Sequence, residues 1–115
     1  MKFSQPLKPT IDNGCVKLWS YNDKITYPEA SIAIIEVRDG SHGKTKSKSC
    51  DRVYYIIKGT GHFDINGTPE EVAQGEVVVI PKNTIYDFRP SPGGVLEMLL
   101  VNTPAYEPND EVALE

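Results

Sequence analysis

The sequence is poor in the residues that build metal centres and disulfide scaffolds. It has two cysteines, Cys15 and Cys50, and two histidines, His42 and His62, among 115 residues. Two cysteines in so short a chain do not make a disulfide framework, and both are read as free thiols. The opening stretch MKFSQPLKPT holds no apolar run of the kind a secretory signal needs. No apolar run elsewhere approaches the roughly 20 residues that cross a bilayer. Basic residues are outnumbered, 12 Lys plus Arg against 16 Asp plus Glu, for a net charge of −4. Binding to phosphate backbones needs a basic face, so nucleic acid is set aside as a partner, and so is a membrane. The expectation is a cytoplasmic protein.

Helical periodicity is missing too. In its place, β-branched and aromatic runs recur between Gly, Pro, Asn and Asp. Strands are expected at 16–21, 32–37, 52–57, 61–65, 76–80, 84–88 and 95–102. Asn66-Gly67 is a hairpin signal, because both residues tolerate positive φ. Asp39-Gly40 is read as a similar turn. The run from Pro90 to Gly94 cannot continue a sheet and is read as a loop. Many short strands at regular spacing point to a sandwich or barrel. The chain divides into an irregular N-terminal arm (1–15), a barrel (16–103) and an acidic C-terminal segment (104–115). The acidic segment carries Glu107, Asp110, Glu111 and Glu115 and is expected to lie solvated on the surface.

Two stretches carry a more specific pattern. The first runs Gly40, Lys46, Lys48, Arg52, Gly59; the second runs Gly75, Pro81, Asn83, Tyr86, Pro90. Their spacing resembles the two motifs of the cupin family, Gly-x5-His-x-His-x3,4-Glu-x6-Gly and Gly-x5-Pro-x-Gly-x2-His-x3-Asn. Asn83 stands where the family has a second glycine, a mild change because Asn tolerates left-handed backbone. The resemblance implies an all-β fold, a double-stranded β-helix or jelly-roll barrel. It also implies an inward-facing site at Lys46, Lys48, Arg52 and Tyr86, the positions where the family holds a divalent metal. Lys and Arg are donors only, and three cations repel a fourth. No metal or other cofactor is therefore expected. His42, His62, Cys50 and Asp51 are the remaining candidate ligands. Alternation along a strand sends Asp51 outward if Arg52 points in, which opposes their convergence.

The expected site is thus a basic and aromatic cavity of Lys46, Lys48, Arg52, Tyr54 and Tyr86, with Phe88 in its wall. Buried charges of one sign need compensation. Glu97, Glu36 and Asp64 are the candidate internal carboxylates; a bound anion is the alternative. Arg52 would clamp a carboxylate or phosphate bidentately while the lysines add charge. The functional expectation is a metal-independent domain, a homodimer, binding a small carboxylate, phosphate or sugar. The alternative is a metal-independent isomerase, epimerase or lyase acting on a sugar or keto acid, with Tyr86 as general acid and a desolvated lysine as base or Schiff-base former. The competing structural reading has the lysines reaching out of the barrel mouth and Arg52 paired with Glu97, leaving no site. Trp19 and Tyr21 are read as core or dimer packing, His62 as a structural histidine, and Cys50 as inert.

Overall fold

The computed structural model describes residues 1–41 and 43–114. Eleven strands follow in chain order: β1 Ile11–Asp12, β2 Val16–Ser20, β3 Ser31–Arg38, β4 Thr45–Ser47, β5 Asp51–Lys58, β6 Thr60–Ile65, β7 Thr68–Ala73, β8 Val77–Ile80, β9 Tyr86–Pro90, β10 Val95–Thr103 and β11 Glu111–Ala113. One sheet has the order β1-β2-β3-β10-β5-β8 and the other β11-β4-β9-β6-β7. Every pairing is antiparallel. The two sheets face each other as a jelly roll.

Alternation explains the core. β5 buries Arg52, Tyr54 and Ile56 and turns Asp51, Val53, Tyr55 and Ile57 outward. β9 buries Tyr86, Phe88 and Pro90; β10 buries Leu96, Met98, Leu100 and Asn102. Between the sheets Tyr54, Phe63 and Phe88 pack with ring centroids 5.1 to 5.5 Å apart. Such edge-to-face and tilted aromatic contacts add to their area burial. Gly59 links β5 to β6 at φ 93°, and a Cβ there would run into the carbonyl oxygen of Val95. Only glycine meets both demands.

The turns follow the sequence reading with two adjustments. Asn66 (φ 51°) and Gly67 (φ 85°) form the expected hairpin turn between β6 and β7. In the other turn Asp39 takes positive φ, 45°, and Gly40 does not. Pro90 ends β9 rather than beginning the loop. Four strands escape the sequence reading. β1 and β11 are two and three residues long, β4 is three, and β7 opens Thr-Pro-Glu-Glu on an exposed edge.

The outer faces of the two sheets differ. The six-stranded sheet presents Trp19, Ile32, Ile34, Val53, Tyr55, Ile57, Val77, Val79, Leu99 and Val101. Tyr55 is 43% exposed, Val77 55% and Val79 58%. The five-stranded sheet instead turns Lys46, His62, Asp64, Asp87, Arg89, Glu70 and Glu71 outward or to its edge.

Candidate functional site

Arg52 is the centre of the site. It is 3% exposed, and its guanidinium is tied on two sides. Nε donates to Oδ1 of Asn102 at 3.0 Å. Nη1 donates to the Tyr86 hydroxyl at 2.7 Å and to the Glu111 carboxylate at 3.1 Å. The Tyr86 and Tyr54 hydroxyls lie 2.6 Å apart and share a hydrogen bond. The guanidinium carbon also sits 5.8 Å from the Tyr106 ring centroid and 6.0 Å from that of Tyr86, within cation–π range.

The strands dictate this convergence. Arg52 and Asn102 are directly opposite on β5 and β10. Tyr86 comes from the facing sheet, and Glu111 from β11, which pairs with β4 at Glu111↔Ser47. Thr45 Oγ1 donates to the same Glu111 carboxylate at 3.0 Å. Ser31 accepts from the Asn102 amide at 3.3 Å and from the Tyr106 backbone N–H at 2.8 Å.

The charges adjust accordingly. Burial by itself disfavours the guanidinium, but Tyr86, Tyr54 and Glu111 more than offset it and hold Arg52 above its ordinary value. Burial pushes the Tyr54 phenol well up, aided by Tyr86 and opposed by Arg52. Burial also raises Tyr86, against the pull of Arg52 and the hydrogen bond with Tyr54. Tyr106 is pushed up to about 12 by burial and by the Glu111 carboxylate beside it. At neutral pH the site therefore holds one cation, one carboxylate and neutral phenols.

Beside this cluster lies a cavity of about 640 Å³. Its walls are apolar: Val16 and Leu18 of β2, Ala33 and Ile35 of β3, and Leu100 of β10. Its floor is polar, from Arg52, Tyr54, Asn102, Tyr106 and Glu111. Its rim carries Asn13, Tyr21, Asn22, Asp23 and Thr26, with Phe3 of the N-terminal arm against it. The volume and the pattern of apolar wall with few convergent polar groups are those of a small-molecule site.

Three of the five expected site residues converge. Arg52 and Tyr54 line the cavity; Tyr86 backs both from the second sheet. Lys46 and Lys48 do not join them. Thr45 and Ser47 are buried, whereas Lys46 is half-buried on the outer side of β4 and Lys48 is exposed. The cause is a one-residue register difference, which flips every side chain to the other face. The family motif allows three or four residues before its last ligand position. Counting four places Thr45 and Ser47 at the inward positions and makes Asp39, with its positive φ, the turn residue.

The compensating carboxylate is also corrected. Glu97, Glu36 and Asp64 all lie on outward-facing positions, and Glu36 is bonded to Arg38 at 2.9 Å. Glu111, expected to be solvated, returns in β11 to serve Arg52. Asn102 and Tyr106 are further contributors absent from the sequence reading. Asn102 was signalled by its parity, as a polar residue on the buried side of β10; Glu111 had no comparable signal.

Of the alternative metal ligands, Asp51 is exposed and bonds the Lys82 backbone N–H, and His62 is on the outer side of β6. Cys50 is buried beside Ser47; His42 lies outside the described residues. Among the described residues no three His, Cys, Asp or Glu side chains gather around one point. The donor set at the inward positions, Thr45, Ser47, Arg52 and Tyr86, does not fit a divalent metal. A guanidinium occupies the place, and the oxygens of Tyr86, Asn102 and Glu111 gather around it as ligands would around a cation.

Residues 52–108 match the model of the AraC-like ligand binding domain. Among solved structures, a variant of Pac13 from Streptomyces with uridine superposes with TM-score 0.86 and 21% identity, over 99% of this chain and 90% of that one. Pac13 is described as a nucleoside dehydratase. KdgF from Halomonas sp. superposes with TM-score 0.73 and 12% identity, over 87% and 88% of the two chains. Oxalate decarboxylase from Lactobacillus farciminis gives 0.78 and 21%, over 94% of this chain and 33% of that one. The chain has the cupin fold. The resemblance of its two motifs to those of cupins therefore extends to the whole barrel, with the metal-ligand positions substituted. No curated protein matches the sequence. No helix among the described residues is long and apolar enough to cross a membrane.

Proposed function

We propose that this cupin barrel binds a small, hydroxyl-rich, electrically neutral molecule, sugar-like or nucleoside-like, in the cavity above Arg52. The observation that carries the reading is the floor. One buried cation, one carboxylate, an amide and phenols form the floor of a cavity of about 640 Å³ whose walls are apolar and whose rim is polar. Because Glu111 already balances Arg52, the floor suits a neutral ligand rather than the carboxylate or phosphate that three converging cations would demand. Arg52 and Asn102 offer donors, Tyr54 both a donor and an acceptor, and Glu111 acceptors, a set suited to hydroxyl groups. The apolar walls of β2 and β3 take the less polar face of a sugar or a base. The likeness to Pac13 with uridine points the same way. Thermal melts and calorimetry with uridine, other nucleosides and methyl glycosides test it: saturable binding is expected, weakened at least tenfold by Asn102→Ala, and no saturable binding to any member contradicts it.

A lyase is the second reading, favoured by the linked hydroxyls of Tyr86 and Tyr54. Tyr54 reaches the cavity, and Tyr86 behind it is tied to Arg52. In this reading Tyr54 gives its proton to the departing hydroxyl while the Glu111 carboxylate takes the proton from the neighbouring carbon, so water leaves, a double bond forms, and the proton on Glu111 afterwards restores Tyr54. Loss of water from a bound ligand, abolished by Tyr54→Phe with binding retained, is its signature.

The protein functions as a homodimer in the cytoplasm, its partner a second copy seated on the outer face of the six-stranded sheet. Five strands at ~4.8 Å spacing and three outward residues each give a flat footprint on the order of 500 Å², and side-chain relief brings the accessible area toward the ~800 Å² per subunit of a standard interface. At one end of that face Lys17, Glu36, Glu97 and Lys58 form a row across the sheet, balanced in charge. That row therefore adds no excess of negative charge to a contact between two chains of net charge −4. Free Cys15 and Cys50 suit a reducing compartment.

A further inference from the structure

We infer that Glu111 is the specificity-determining residue of the cavity: its carboxylate occupies the anion seat on Arg52, so the cavity takes neutral ligands and turns carboxylates away. The inference rests on the proposed ligand site and names what sets its charge preference.

Three observations support it. First, Arg52 is buried and its two neutral partners, Tyr86 and Asn102, leave its charge unmatched. Glu111 at 3.1 Å supplies the balancing charge. A carboxylate on a ligand would seek that same guanidinium edge and find it taken. Second, the charged groups among the described residues lining the cavity are Arg52, Glu111 and Asp23. One cation against two carboxylates leaves the lining at −1, and Asp23 is held ionised by its hydrogen bonds from Thr26. An entering anion is opposed twice.

Third, the carboxylate is delivered by a segment built to hold it. β11 pairs with β4 over three residues. The Lys48 N–H donates to the Asp110 carbonyl at 2.9 Å, and the Leu114 N–H to that of Lys44 at 2.8 Å. Ser49 donates to the Asp110 carboxylate. The carboxylate that fills the seat is thus carried on a strand held by its pairing with β4. Removing the charge while keeping the strand should convert a neutral-ligand cavity into an anion-binding one. A buried guanidinium without its counter-ion gains from any anion that can reach it.

The test uses the full chain and sodium acetate, with sodium chloride at equal ionic strength as reference. Glu111→Gln and Glu111→Ala should gain about 4 °C or more in Tm at saturating acetate, in a concentration-dependent and saturable way. The wild type, the exposed control Glu70→Gln and the double variant Arg52→Met/Glu111→Gln should respond no more than to chloride. The proposal is overturned if acetate stabilises the wild type as much as the Glu111 variants, or if it leaves folded Glu111 variants unmoved. Should neither variant fold, the wild type decides through the Nε–Hε resonance of Arg52: a resonance unmoved by acetate upholds the occupied seat, and a saturable shift overturns it. Acetate reports on Arg52 alone. Failure of every neutral nucleoside and glycoside to bind would end the proposed function and leave the acetate result standing.

Discussion

Arg52 and Glu111 are 59 positions apart in the chain and 3.1 Å apart in the barrel. The pair joins a core strand to the last strand described, so the C-terminal segment contributes to the cavity lining. Breaking a buried ion pair from one side leaves the other charge uncompensated. Arg52→Met is expected to cost about 3 kcal/mol by denaturant unfolding, and Glu111→Gln less, because Glu111 is the more exposed partner at 24% against 4%. The double variant should cost less than the sum of the two, by about 1 kcal/mol or more.

The two tyrosines of the site should behave unequally. Tyr86 accepts from Arg52 and shares a hydrogen bond with Tyr54, whereas Tyr54 has only the latter among the bonds seen at its hydroxyl. Tyr86→Phe strips a partner from a charged donor and should cost about 2 kcal/mol; Tyr54→Phe should cost about 1. Equal losses in chemical denaturation would contradict the network.

Alkaline titration checks the electrostatics. Burial raises Tyr54, Tyr86 and Tyr106, the last to about 12. A phenol whose folded value lies above its unfolded value of about 10 stabilises the fold fully below pH 10, and that contribution is lost as pH climbs to the folded value. Phenolate absorbance should therefore show three of the six tyrosines ionising late, and Tyr106→Phe should flatten the loss of stability between about pH 10 and 12. A single transition near pH 10 for all six would contradict the burial of these hydroxyls.

The apolar outer face makes a separate prediction. Val79→Glu and Tyr55→Glu place charge on the exposed β8–β5 side of the proposed interface. Light scattering should give twice the 12.8 kDa chain mass for the wild type and the single mass for both variants. His62→Glu, on the other sheet, should leave the dimer intact.

How far the sequence carried depended on what each feature needs. The barrel was legible because β-branched alternation and the Gly-Pro frame are local and repeat seven times over. Asn66-Gly67 and Asn83 were legible because positive φ restricts the residues that can sit there. The facing of Lys46 and Lys48 was misread because a three-residue strand carries too little alternation to set its own register. Its facing is fixed by pairing with β9 and β11, which are remote in sequence. Glu111 was missed for the same reason: a short strand after two prolines looks like a tail until another edge pairs with it. The inward facing of Arg52, Tyr54 and Tyr86 was legible because β5 and β9 alternate strictly over eight and five residues.

The most direct test is a heteronuclear NMR titration of the isotope-labelled protein with uridine and with methyl glucoside. Saturable shifts are expected in the Arg52 Nε–Hε and Asn102 side-chain amide signals, accompanied by Ala33 and Ser31 of the cavity lining, with the outer-face residues His62 and Asp64 unmoved. Shifts confined to the outer faces, or none that saturate for either ligand class, would contradict the proposed site.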